Sequence, residues 1–109
     1  MPLPAFVSIL HRVSGAVLFL LIPLILWLLS ISLDSAQSFA AFKTVVGHPL
    51  AKIILIGVLW AYMHHLCAGV RHLAMDMHMG LELESARKSS VAVLVVSIAL
   101  TAAIGALLW

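Results

Sequence analysis

The sequence predicts an all-α membrane protein with three transmembrane helices, and three observations carry that expectation. Hydrophobic residues fill 64% of the 109 positions and charged residues only 9%, where a soluble domain would carry about 25% charged. Three apolar segments reach the roughly 20 residues that a helix needs to cross the hydrocarbon, leaving no length for a soluble domain. The only densely charged stretch, residues 76–88, falls between the second and third segments. A net charge of +2 arises from few groups and argues for no nucleic-acid partner. The single Cys67 excludes an internal disulfide and reads as a small packing residue.

Residues 1–6, with Pro2 and Pro4, read as an extended approach, and the first helix is expected over about residues 8–33. Its N-terminus lacks the basic start of a removable signal, and Ser8, His11 and Arg12 give it polar chemistry of its own, so it is read as part of the mature chain. Pro23 predicts a kink. Residues 34–48 form an interfacial linker in which Asp34 or Ser35 caps a short helix. Phe39, Phe42, Val45 and Val46 recur there at near-helical spacing, as a segment lying on the lipid surface requires. His48 reads as a surface residue. Pro49 opens the second helix, about residues 49–75, from a first-turn position that accepts proline. The loop over residues 76–88, with Glu82, Glu84, Arg87 and Lys88, must lie outside the hydrocarbon. The third helix, about residues 89–109, has only Ser and Thr for polarity and reads as a packing element, with Trp109 suited to the interfacial aromatic belt. The whole chain is one membrane-anchor domain. No internal repeat suggests a transporter built from duplicated halves.

Arg12, Arg71, Arg87 and Lys88 fall on one side of this arrangement and Lys43 and Lys52 on the other. The excess of basic residues puts the N-terminus on the cytoplasmic side. Helix one then enters the membrane where helix two leaves it, which brings Ser8, His11 and Arg12 to the depth of Arg71 and His72. At 1.5 Å per residue, His65 lies roughly 10 Å deeper than His72.

An ionisable group in hydrocarbon costs roughly 2.5 to 3.5 kcal/mol and therefore faces a partner, a cavity or a bound group. His65, Gly69, His72 and Asp76 share one face of the second helix, and that stripe runs back through Ala61 and Gly57. Small residues around His65 make a slot in which an imidazole could reach the iron of a haem. The same small residues would equally let another helix pack closely, with His65 hydrogen-bonded across the interface. Cationic groups nearer the surface suit the propionates of a haem whose iron lies deeper, and His72, His11, Arg12 and Arg71 are the candidates. Zinc fits less well, since one helix aligns no more than two of the histidines as ligands.

The run Ser8-Ile9-Leu10-His11-Arg12-Val13-Ser14-Gly15 precedes a second motif, in which His65, Gly69, Arg71, His72 and Asp76 are spaced His-x3-Gly-x-Arg-His-x3-Asp. Together they resemble the cytochrome b membrane-anchor subunit of succinate dehydrogenase, the larger of the two anchors of respiratory complex II. The resemblance covers nearly the whole chain, including the acidic-then-basic segment before the last helix. It implies that His65 is an axial ligand of haem b and its metal-binding residue, with the second axial histidine supplied by the smaller anchor subunit. It also implies that Ser8 and Arg12 help form a ubiquinone site, with His11 and His72 around the haem. His64 stays unassigned. The family's longer Arg-Pro-rich approach to the first helix is not among these 109 residues.

The expected assembly is a multi-helix haem-binding bundle of two anchors in the bacterial inner membrane, with the mitochondrial inner membrane the less favoured setting. It docks a flavoprotein subunit and an iron–sulfur subunit on its cytoplasmic face. Electrons from succinate would pass through FAD and iron–sulfur clusters to ubiquinone, so the chain is no catalyst alone. Two alternatives stand beside this: a haem-free structural anchor, and the anchor of a menaquinone-linked fumarate reductase.

Overall fold

The computed structural model describes residues 2–108 and consists of four α-helices: α1 (Leu3–Asp34), α2 (Ala36–Val46), α3 (Pro49–Asp76) and α4 (Leu83–Leu108). Helices α1, α3 and α4 are each long and apolar enough to cross a membrane. They lie side by side in a body 55 Å long. His11 of α1 meets His65 of α3, and Arg71 of α3 meets Ser89 of α4, so consecutive long helices run antiparallel.

Helix α1 starts earlier than expected. The sequence reads residues 1–6 as an extended approach and the helix as beginning at Ser8, whereas the helix starts at Leu3 with Pro4 in its first turn and Met1 lies outside the described residues. The first N–H groups of a helix have no partner within it, so a proline there forfeits nothing. The carbonyl of Pro2 accepts the first turn's bond from Phe6 N at 3.1 Å. The helix continues through Pro23 as one element.

Ser35 is the residue that caps α2, its Oγ accepting from Ser38 N at 3.0 Å. Phe39 and Phe42 sit 6.4 Å apart between ring centres, with Lys43 Nζ 5.0 Å above the Phe39 ring. Gly47 ends α2, and His48 then caps α3 by accepting from Leu50 N through Nδ1 at 3.2 Å.

At its other end α3 closes with His78 at φ +62°. His78 N donates to Met75 O at 2.9 Å and Met79 N to Ala74 O at 3.1 Å, the paired bonds of a Schellman stop with histidine where glycine is usual. The charged loop is shorter than its composition suggested. Helix α4 begins at Leu83, not near Ser89, so Glu84, Arg87 and Lys88 lie in its first turns, where Lys88 pairs with Glu84 at 3.3 Å. A Glu four residues before a Lys supports helix, so charge carries this segment out of hydrocarbon without unwinding it. Trp109 lies outside the described residues.

The core is narrow and built from small groups. Val7, Ala68 and Val93 join α1, α3 and α4 at one level. The inward seam of α4 is Ala86, Ser90, Val93, Ser97 and Thr101. In hydrocarbon, apolar surface gains little by leaving lipid, and close approach of small residues supplies the attraction between helices. The seam's hydroxyls bond within their own helix: Ser90 Oγ donates to Ala86 O at 2.7 Å, Ser97 Oγ to Leu94 O at 3.0 Å and Thr101 Oγ1 to Ser97 O at 2.7 Å. Ser90 is fully buried. Ser90→Leu should cost about 1–3 kcal/mol by overpacking the α3–α4 seam and lower the thermal unfolding midpoint of the detergent-solubilised protein. Ser90→Ala should stay close to wild type; equal midpoints for both variants would contradict the account of the seam.

Candidate functional site

Three imidazoles meet where α1 and α3 cross. The His11 ring lies against that of His65 at 4.3 Å between centres and 10° between planes, and against His72 at 4.9 Å and 40°. His11 therefore sits between the two histidines that share a face of α3. Glycine makes room for the His65 ring, whereas at Gly69 a Cβ would meet His11 in ordinary van der Waals contact. A Cβ at Gly15 of α1 would stand 2.8 Å from Cε1 of His65, and one at Gly69 of α3 would stand 3.7 Å from Nε2 of His11. Each helix thus offers a glycine to the other's histidine, the first contact far tighter than the second.

The bonds around His65 define its ring. Its Nδ1 lies 3.1 Å from the carbonyl oxygen of His11 and 3.3 Å from Ser14 Oγ. Ser14 Oγ itself donates to the His11 carbonyl at 3.0 Å. A carbonyl only accepts, so a hydrogen bond here needs the proton on Nδ1, and in that tautomer the neutral ring keeps its lone pair on Nε2. Metal-binding histidines are held in the same way: the remote N–H is anchored on a carbonyl, which fixes both tautomer and ring plane.

The other expected site residues separate. Ser8 is half-buried, one turn before His11, while Arg12 is exposed on the outer side of α1. Arg71 departs from the group. It is buried, and its Nε donates to Ser89 Oγ at 2.9 Å on α4, about 100° around α3 from His72. The slot expected on α3 itself also differs. Gly57 has nothing within 4 Å where its Cβ would be, and Gly15 is the residue over which His65 sits. Residues above and below a side chain on its own helix cannot supply space in front of it; only the facing helix can. Among the described residues, no three His, Cys, Asp or Glu side chains gather as a group able to hold a metal ion.

Ser14 carries a role that its sequence position alone did not reveal, although it follows His11 by one turn and precedes Gly15. His64 and Trp60 form a separate feature. Their rings are 5.4 Å apart, and both His64 nitrogens and Trp60 Nε1 are buried without a hydrogen-bond partner among the described residues. A cavity of about 110 Å³ adjoins them, with Ser14 and Ala61 in its wall.

Residues 1–104 match the family described as succinate dehydrogenase/fumarate reductase transmembrane subunit. The chain belongs to this family. It is similar to the succinate dehydrogenase cytochrome b556 subunit of Paracoccus denitrificans, 44% identical over 100 residues that cover 92% of this chain and 77% of that one. The subunit of the same name from Coxiella burnetii is 38% identical over 109 residues, covering 99% and 87%. That of Rickettsia felis is 34% identical over 94 residues, covering 86% and 73%. The chain is thus a multi-pass membrane anchor of the complex II type, and its α1–α3 crossing is the part of that anchor in which histidines converge.

Gly15→Ala forces the His65 ring away from α1 and should destabilise the protein by about 1–3 kcal/mol. Gly57→Ala, which meets open space, should be neutral or slightly stabilising through helix propensity. Thermal unfolding of the two variants side by side checks this; a neutral Gly15→Ala would show that the ring does not depend on that glycine.

Proposed function

We propose that this chain is the haem-bearing, quinone-facing anchor of a bacterial succinate dehydrogenase. One observation carries the proposal: His65 is held through Nδ1 by the His11 carbonyl, over a glycine, with Nε2 left as a bare nitrogen. That is the state in which an imidazole binds iron. When bound, haem b supplies a one-electron redox centre inside the bundle. His65 Nε2 would occupy one axial position, and a histidine of a second anchor subunit the other. His11 and His72 would flank the macrocycle, with Arg12 as the partner for a propionate. Arg71 is turned to α4, where its Nε donates to Ser89 Oγ.

The quinone belongs at the same end of α1. Ser8 and Arg12 are four residues apart and share a helix face. Reducing ubiquinone takes two electrons and two protons and yields the quinol, so its carbonyl oxygens gain charge before they are protonated. Ser8 donates a hydrogen bond to one carbonyl, and the Arg12 cation stabilises the developing negative charge. With the N-terminus cytoplasmic, this end faces the iron–sulfur subunit and, beyond it, the flavoprotein that oxidises succinate. The excess of basic residues at that end supports this orientation in the bacterial inner membrane.

His65→Ala should remove most of the haem from the purified complex, read as haem per flavin; an unchanged ratio would favour a haem-free anchor in which His65 only joins α1 to α3. Ser8→Ala and Arg12→Leu should each slow quinone reduction by about tenfold or more. Succinate-dependent reduction of an artificial acceptor at the soluble subunits should persist in both. Parallel loss of the two activities would place these residues in assembly instead.

A further inference from the structure

Arg71 faces α4 and not the histidines, and among the described residues it is the most buried Lys or Arg side chain. It is 6% exposed, its Nε donates to a neutral hydroxyl, and among the described residues the only ion pair is Lys88 with Glu84 at the surface. A guanidinium offers five N–H donors and a permanent charge. One serine compensates neither. A charge at membrane depth is ordinarily paired, so Arg71 calls for an anion from outside the chain.

The structure also gives that anion a shape. An apolar groove of about 380 Å³ runs between α3 and α4, walled by Leu66 and Val70 on one side and Ala92 and Val96 on the other. Arg71 and Ser89 stand at its end nearest the α3–α4 connection. Arg71 precedes the last residue of α3, Asp76, by five positions, about 8 Å along the axis, so it lies near one end of the span. From there the groove leads into the hydrocarbon. A carboxylate of a neighbouring subunit would answer the charge and leave the groove empty. A zwitterionic lipid would fill the groove and bring a second cation towards the arginine.

We propose that this groove binds one anionic phospholipid, with phosphodiester oxygens on the Arg71 guanidinium and an acyl chain between α3 and α4. Basic pockets between transmembrane helices recognise headgroups in this way, and the planar guanidinium matches two phosphate oxygens at once. Ser89 holds Nε, and both residues line the groove, leaving the four Nη hydrogens for the phosphate. The site is on the face of α3 turned to α4, apart from the histidines turned to α1.

The test is native mass spectrometry of the intact detergent-solubilised complex carrying this chain, titrated with phosphatidylglycerol and phosphatidylcholine of identical acyl chains. The wild type should hold one phosphatidylglycerol per copy of the chain, preferred over phosphatidylcholine by about fivefold or more. Arg71→Gln should abolish that preference. Ala92→Trp, which fills the groove and keeps the charge, should weaken binding of both lipids. Equal affinity for the two lipids in the wild type overturns the proposal, as does a preference undiminished in Arg71→Gln. If Arg71→Gln does not assemble, Ala92→Trp decides, and unaltered phosphatidylglycerol binding in that variant overturns it. A photo-crosslinker at Val96 should label lipid; capture of a neighbouring subunit there would assign the anion to protein and overturn the proposal.

Discussion

The crossing of α1 and α3 rests on the seat that Gly15 gives the His65 ring, and the rest of the structure depends on it. His65 occupies the space that Gly15 leaves open, and His11 lies beside Gly69. An imidazole against a glycine fixes how far one helix can slide along the other and how each is rotated. The bond from His65 Nδ1 to the His11 carbonyl adds direction to that fit. Once His65 and His72 are turned to α1, helix geometry leaves residues 64, 68 and 71 on the inward and α4-facing sides of α3. The burial of His64, Ala68 and Arg71 follows.

Polar groups in this bundle are treated in two ways, and the difference separates scaffold from site. Along α4, each buried hydroxyl is returned to a carbonyl of its own helix. Such a seam demands nothing from a partner and tolerates tight packing. Around α3 the polar groups reach between helices or lack partners. His65 is anchored on α1 with one nitrogen left bare, His64 and Trp60 carry unpaired buried nitrogens, and Arg71 carries a charge matched by no carboxylate of the described chain. Unmet polar demand in a low-dielectric environment is expensive. In the described residues that demand is concentrated on α3.

Much of this was legible in the sequence, for identifiable reasons. Length and apolarity alone delimit three spans, and Pro49 announces the start of α3 because its fixed φ suits a first turn. The stripe of His65, Gly69 and His72 follows from a 3.6-residue period. What escaped was whatever depends on a second helix. Gly57 and Ala61 flank His65 in the stripe, but the residue that admits its ring is Gly15, fifty positions away in the chain. Arg71 and His72 are neighbours in sequence and part company on a helix, so His72 meets α1 while Arg71 meets α4. Helix ends escaped for a local reason. Pro4 and the Glu84–Lys88 pair look like breaks in an apolar pattern, and both are compatible with helix. His64 had no signal, since nothing in its immediate sequence distinguishes a buried imidazole from one hydrogen-bonded to a neighbour.

The measurement that bears most directly on this account is the reduced-minus-oxidised optical spectrum of the purified wild-type complex, with haem quantified against flavin. The proposed pairing of His65 with a histidine of a second anchor predicts a low-spin b-type spectrum at one haem per copy of this chain, as two imidazole ligands give. A fully assembled complex with no haem, or with a high-spin haem lacking a second strong ligand, would contradict it.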